Sequence, residues 1–342
     1  QSILPRKEVN TINFVKKYLL PRLITYFLVF FIGITMVFFI PRLLPTDPVQ
    51  RTVTRVRAMG AYLDPEATEK MMESLEDLYG LKGSVWEQYV NFWKRFVKGD
   101  FGPSLFQFPT PVTTLIMQSL PWTVGLLLTT TILSWLLGNI LGGFAGYFSN
   151  SRGFKILDFF SMIIRPMPYY ILSLILLIVF AYLIPIFPLG GGFSIGSEIT
   201  FSLESILTLL KYAFLPALSL LLIGVFTWYQ ATKLVVQSVK SEDYVKYAEL
   251  GGVKPQKIAM KYVIRNAMLP QITGLALSLG QIFSGALITE MVFTYPGLGT
   301  LLYNAIFTGD YNLLMGISSI SIFVVTTSIL VVDLLYTLFD PR

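Results

Sequence analysis

The sequence predicts an all-α integral membrane protein: six transmembrane helices, with a soluble helical insert between the first and second. Three observations carry that prediction. The 342 residues are 54% hydrophobic and only 13% charged, where a soluble domain is about a quarter charged. The apolar residues are gathered into long runs, of about the 20 residues that a helix needs to cross about 30 Å of hydrocarbon. Lys and Arg also concentrate in alternate connections between those runs, as the positive-inside rule requires of a multi-pass chain. The mean hydropathy of +0.65 agrees.

In chain order, residues 1–22 form a polar arm carrying Arg6, Lys7, Lys16, Lys17 and Arg22 against the single acid Glu8. Its first ten residues, QSILPRKEVN, lack an initiator Met and are assigned no role. No cleavable secretory signal is expected, because the first apolar run follows a polar arm, is long, and has no small-residue cleavage site. That run, residues 23–44, is the first span, ended by Pro41, Pro45 and Pro48. Residues 45–118 differ in kind, with eight basic and nine acidic residues. Within this insert Asp64 to Tyr79 reads as a helix with Met71, Met72, Leu75 and Leu78 near one face. Trp86 to Val97 reads as a second amphipathic helix, with Tyr89, Val90, Trp93 and Phe96 three and four apart. Gly99 to Pro111 is a Gly/Pro/Phe loop. The aromatics suit packing of the two helices on each other and on the membrane ends, or docking of an external partner.

Residues 119–342 hold five further spans. Residues 121–147 are rich in Thr and Gly, which permit close helix contact. Residues 156–184, 214–232, 272–289 and 313–335 follow, and the fifth again carries small residues (Gly274, Ser278, Gly280, Ser284, Gly285). The 149–155 turn (Arg152, Lys155) and the 233–270 loop, with seven basic and three acidic residues, are basic. The 185–211 connection has only Lys211, and the 290–312 connection has neither Lys nor Arg. Both termini are therefore expected in the cytoplasm and the 45–118 insert outside, since long segments translocate largely regardless of charge.

Charges inside spans are costly and mark pathways or structural pairs. Arg165 lies about nine residues into the third span beside Pro166 and Pro168, which should kink that helix. It reads either as a pathway or gate residue or as a structural charge paired with an acid such as Asp158 or Asp333. Glu290 closes the fifth span, a second pathway candidate. It leads into Met291 to Gly299, a tight turn in which Pro296 fixes φ and Gly297 or Gly299 can take positive φ. The absence of Cys and His removes thiolate nucleophiles, His bases and the usual zinc sites, so no catalytic residue and no metal site is expected.

The most informative stretch is Ser241 to Pro270. Ser241 can cap a helix, with Glu242 and Asp243 in its first turn, where the dipole favours acids. Tyr244, Tyr247 and Ala248 follow at helical spacing. Gly251 and Gly252 stop the helix, and Pro255 suits the first turn of another. On that second helix Lys257, Lys261 and Arg265 form a basic stripe. From charge alone this could equally be an ordinary solvated loop.

This stretch resembles the cytoplasmic signature loop of ABC-importer permeases, whose general form is Glu-Ala-Ala, three residues, Gly, then Ile-x-Leu-Pro. Asp243 to Lys246 and Arg265 to Pro270 are especially similar to the oligopeptide/dipeptide/nickel subfamily. Gly252 aligns with the signature glycine. Lys246, Tyr247 and Ala248 stand where the general motif has Glu-Ala-Ala, so only Ala248 matches. Thr46-Asp47-Pro48, Tyr79-Gly80-Leu81, Trp86-Glu87-Gln88-Tyr89, Gly99-Asp100-Phe101-Gly102, Leu120-Pro121, the Glu290–Gly299 run and Asp340-Pro341-Arg342 are similar to the first, B-type, permease subunit. The resemblance covers nearly the whole chain.

It implies the type I importer permease fold in a bacterial or archaeal cell membrane. It also implies a second homologous permease, two cytoplasmic ATPase subunits using ATP and Mg, and an extracytoplasmic solute-binding protein. The ATPase-contacting residues would be Asp243, Tyr244, Tyr247, Ala248, Glu249, Leu250 and Gly252. No phosphate-binding Gly-x-x-x-x-Gly-Lys-Ser/Thr loop is present, so the chain itself is expected to hydrolyse nothing and to bind no cofactor or nucleic acid. The basic stripe suits lipid phosphates. Peptide import is the expectation, oligosaccharide import the alternative. A secondary transporter, which calls for intramembrane acids or His, and an intramembrane enzyme are the rival classes.

Overall fold

The computed structural model describes residues 19–43, 48–58, 64–192, 202–282 and 286–339. Most of the N-terminal arm, Thr46-Asp47, Ser284 and Gly285, residues 193–201 of the 185–211 connection, and Asp340-Pro341-Arg342 lie outside the described residues. The protein is mostly helical, with no strand among the described residues. Among the described residues, four helices are long and apolar enough to cross a membrane, or five if one sharply bent pair counts as a single crossing. The chain divides into two units: residues 1–114 with 305–342, and residues 115–304.

In the first unit, helix α1 (Leu20–Leu43) is followed by α2 (Pro48–Ala58), α3 (Pro65–Tyr79) and α4 (Val85–Val97), and the unit closes with the long C-terminal α13 (Tyr311–Phe339). Pro41 does not end α1 but sits inside its last turn. Helices α1 and α13 run antiparallel, which their paired residues show directly. Arg22 meets Asp333 at 2.5 Å, Tyr26 OH meets Thr327 Oγ1 at 3.1 Å, and Phe30 packs edge-on to Phe323. Gly33 lies against Ile322, and Arg42 reaches Met315.

Helix α3 starts where Asp64 accepts the Ala67 N–H at 2.6 Å, and ends at Gly80 with φ +65°. Helix α4 starts with a reciprocal capping box: Ser84 N–H donates to Glu87 Oε2 at 2.8 Å and Glu87 N–H to Ser84 Oγ at 3.3 Å. Those bonds, the backbone donor foremost, hold the Glu87 carboxyl below its ordinary range. The two insert helices do not share one core, as the aromatic spacing suggested. Leu75 and Tyr79 of α3 pack with Val49 and Val53 of α2. Tyr89 and Phe92 of α4 pack instead with Ile34, Val37 and Phe38 of α1. The amphipathic pattern fixes which face is buried but not against what.

Asp310 secures this unit, and nothing in its sequence surroundings announces it. It is fully buried. One carboxylate oxygen accepts from Ser104 OH at 2.6 Å and from the Leu105 and Phe106 N–H groups at 2.6 and 3.0 Å. The other caps α13 through Leu313 N–H at 3.0 Å. The Gly/Pro/Phe loop is thereby tied to the start of the last helix.

The second unit is built on α5 (Val112–Tyr147, whose first turn belongs to the first unit) and α8 (Leu203–Lys240). Helix α5 begins nine residues before the expected span and carries Pro121 inside it. Helix α8, of 38 residues, is about 57 Å long at 1.5 Å per residue, more than the hydrocarbon core alone requires. Between them lie α6 (Arg152–Ile164) and α7 (Tyr169–Leu177, continued by π-helical Ile178–Leu183), bent by 102°. After α8 come α9 (Asp243–Leu250), one turn at Pro255–Lys257, π-helical Ile258–Ile264, α10 (Arg265–Gln281), α11 (Leu287–Val292) and α12 (Leu298–Thr308), which runs on into the first unit.

Candidate functional site

The loop between α8 and α10 is a folded device. Ser241 does not start α9, as its type suggests: it closes α8, its hydroxyl donating to the Ser238 carbonyl at 2.7 Å. The apolar run ends well before Lys240, but the helix continues, so the turn comes later than hydropathy indicates. Glu242, extended at φ −66° and ψ 147°, precedes α9 without a side-chain cap bond. Gly252 is the left-handed residue at φ +74°, while Gly251 stays at φ −76°. Gly252 N–H donates to Glu249 O at 3.0 Å and Val253 N–H to Ala248 O at 3.1 Å. Pro255 opens the next turn as expected.

The eight residues of α9 divide into two faces. Val245 is fully buried among Tyr147, Val236, Ile258, Ala259, Val263 and Ala267. Burial of a Val side chain contributes about 1.5–3 kcal/mol, enough to seat so short a helix. Tyr244 adds a second tie: its hydroxyl donates to Tyr262 O at 3.3 Å and accepts from Asn266 Nδ2 at 2.9 Å. On the other face Tyr247 and Leu250, three apart, are 74% and 84% exposed. Asp243, Lys246, Glu249 and Gly252 are also exposed, and Ala248 is partly buried. Lys246 pairs with Asp243 at 3.1 Å. Sequence reasoning missed Val245, Tyr262 and Asn266. The one available signal was Val245, a β-branched apolar residue amid polar neighbours. Lys257, Lys261 and Arg265 are all exposed.

Farther along the chain, α5, α8, α10, α11 and the α6–α7 break line an open cavity of about 630 Å³. Its wall is largely apolar, set with hydroxyls and rings such as Thr130, Ser134, Tyr169, Thr227, Trp228 and Thr289, and no charged residue lines it among the described residues. Arg165 stands at the break itself. Neither proposed acid holds it: Asp158 binds Lys233 Nζ at 2.6 Å and Tyr229 OH at 2.8 Å, and Asp333 binds Arg22. Arg165 is exposed and donates instead to the neutral Gln230 side chain of α8.

Glu290 does not line the cavity. It is fully buried, and its Oε2 accepts Gly299 N–H at 2.7 Å, at the start of α12. A Cβ at Gly297 would lie 2.3 Å from that oxygen, and one at Gly299 2.8 Å from it. Both glycines therefore provide close approach rather than positive φ. The positive φ in this turn, +49°, belongs to Thr294.

Residues 138–342 match the family described as binding-protein-dependent transport system inner membrane components. Among curated proteins, the chain is 31% identical to the oligopeptide transport system permease protein AppB of Bacillus subtilis, over 91% of this chain and 94% of the relative. It is 30% identical to the oligopeptide transport system permease protein OppB of Haemophilus influenzae and 27% identical to the dipeptide transport system permease protein DppB of Lactococcus lactis, in each case over 95% of this chain and 98% of the relative.

Proposed function

Because this chain belongs to the family of binding-protein-dependent transport system inner membrane components, we propose that it is the B-type permease subunit of an ATP-driven importer of oligopeptides. The relatives named above are oligopeptide or dipeptide permeases, which favours peptide over the oligosaccharide alternative. In this reading the crossings are α1, α5, the α6–α7 pair, α8, the helical stretch ending in α10 and α11, and α13. Both termini and the α9 loop face the cytoplasm of a bacterial or archaeal cell, and residues 45–118 lie outside. A second, homologous permease completes the channel. Two ATPase subunits use ATP and Mg, and an external binding protein delivers the solute. This chain binds no cofactor and carries no catalytic group.

The observation that carries the reading is the two-faced α9. Its outer face, Tyr247 and Leu250 with Asp243 and Glu249 beside them, fits a groove on an ATPase in the manner of helix-in-groove contacts. Its inner face, through Val245 and Tyr244, is fastened to the bases of α8 and α10. Movement of α9 would therefore turn both helices, and with them two walls of the uncharged cavity, giving alternating access by rocking of packed elements. The stripe of Lys257, Lys261 and Arg265 meets lipid phosphates.

The test is uptake by the complex co-purified with its ATPase and permease partners in proteoliposomes. Labelled peptide delivered by the binding protein should accumulate only with hydrolysable ATP and regardless of ionophore. Ionophore-sensitive uptake without ATP would overturn the reading. Within the same assay, Arg165→Ala should lower the initial rate about tenfold, the order set by a charged hydrogen bond of at least about 1.5 kcal/mol, with complex yield unchanged. A loss of yield with a normal rate per complex would make Arg165 a structural tie instead of a gate.

A further inference from the structure

We infer that α4 lies lengthwise against the Leu43 half of α1 at the edge of the bilayer, with acyl chains covering a strip of its apolar arc. Projected at about 100° per residue, its apolar residues form one continuous arc about 160° wide. Apart from Val85 at the start of the helix, which is 54% exposed, one side of that arc is covered by protein. Tyr89 and Phe92 are buried against α1, Trp93 stacks on Phe31 at 5.5 Å, and Phe96 packs on Phe30 at 5.8 Å. On the adjoining strip Val90 is half-buried, but Trp86 and Val97 are not covered: Trp86 is 70% and Val97 80% exposed. Glu87, Asn91, Lys94 and Lys98 occupy the opposite arc and are exposed.

The position of that strip identifies its occupant. Gln88 lies at the level of Arg42, Tyr89 bonds Thr35 and stacks on Phe39, and Trp93 and Phe96 reach Phe30. Helix α4 thus runs beside residues 30–42 of a helix that is apolar all round, in the opposite direction. In that stretch Phe31, Ile32, Phe39 and Ile40 of α1 are themselves exposed. The α4 strip continues this lipid-facing surface, so hydrocarbon that covers α1 covers Trp86 and Val97 as well. The partner is therefore the leaflet at the Leu43 end of α1, and α4 is set apart from α3, whose apolar residues pack on α2.

The chain contains no Cys, so single spin labels can be placed without background. The test uses Trp86→Cys, Val97→Cys, Lys94→Cys and, on the exposed side of α3, Glu69→Cys. Each is made in the full-length protein and reconstituted in phosphatidylcholine–phosphatidylglycerol vesicles. Labels at 86 and 97 should be relaxed several-fold more by oxygen than by a water-soluble nickel chelate, and labels at 94 and 69 the reverse. Chelate access at 86 and 97 equal to that at 69 would overturn the inference by placing the strip in water. Shielding of 86 and 97 from both relaxants would overturn it equally, by placing a protein surface there.

Discussion

Gly142→Leu is expected to leave no folded permease in the membrane fraction, while Gly143→Ala, one residue away, is expected to behave like the parent. The contrast follows from which atoms lie opposite each glycine. A Cβ on Gly142 would stand 2.4 Å from the Tyr229 carbonyl oxygen of α8 and 3.1 Å from Thr232 Cβ. One turn to either side, Gly138 and Gly146 face Val225 O at 2.7 Å and Lys233 O at 2.8 Å. The three glycines, four apart, form a small-residue stripe along which two backbones touch. A buried hydrogen bond from Thr232 to Asn139, 2.6 Å long, fixes the register beside it. A flexible side chain could swing away from an added methyl, but a helix backbone cannot. The cost therefore exceeds the roughly 1–3 kcal/mol usual for overpacking, and several kcal/mol is a large part of a domain's stability. At Gly143 the same Cβ meets only the Ile264 side chain, at 3.4–3.5 Å, an ordinary contact. Gly142→Ala should lie between, with a clearly lowered midpoint of thermal unfolding in detergent. The readouts are monodisperse yield and that midpoint. Equal midpoints for Gly142→Ala and Gly143→Ala would show that α5 and α8 do not pack as described.

What the sequence made legible, and what it did not, follows from the range of each signal. Asp64, Pro65 and Gly80 delimit α3 by local backbone chemistry, and the sequence reading found that helix within a residue. The apolar runs of α1 and α13 were equally plain, because a helix in lipid must be apolar on every side. Hydropathy misjudged α8, since it measures the bilayer and not the helix: Lys233, Gln237 and Lys240 read as loop yet continue the helix to Lys240. Partners distant in sequence left no trace. Gln230 for Arg165, Asn266 for Tyr244 and Ser104 for Asp310 lie 65, 22 and 206 residues away, and neutral or hydroxyl partners carry no charge pattern to suggest them. The obvious acids, Asp158 and Asp333, were the wrong partners for Arg165 because each has a nearer cation. The π-helical stretch at Ile258–Ile264 has no sequence signature that we can identify.

Gly252→Ile is expected to abolish uptake while leaving membrane insertion, unfolding midpoint and complex yield close to those of the parent. The chain at Gly252 is left-handed, at φ +74°, and no atom lies within 4 Å of the position its Cβ would take. The penalty is therefore backbone strain alone, about 1–3 kcal/mol for a side chain held in that region, and more to the β-branched end of the range. It cannot be relieved by repacking, because nothing is packed there. Relief comes only by rotating the turn, which swings α9 about its anchors and moves Tyr247 and Leu250 away from whatever groove receives them. Asn tolerates this conformation far better than other residues, so Gly252→Asn should retain most of the transport rate and Gly252→Ala an intermediate rate. A steric effect would order the three by size, Ala, Asn, Ile, whereas strain orders them Asn, Ala, Ile. ATPase activity of the purified complex separates the steps further. With Gly252→Ile, hydrolysis should no longer rise when loaded binding protein is added, although the ATPase subunits still co-purify. Uptake at the parent rate by Gly252→Ile, with the ATPase subunits still bound, would sink the assignment of α9 as the element that receives the motor's stroke.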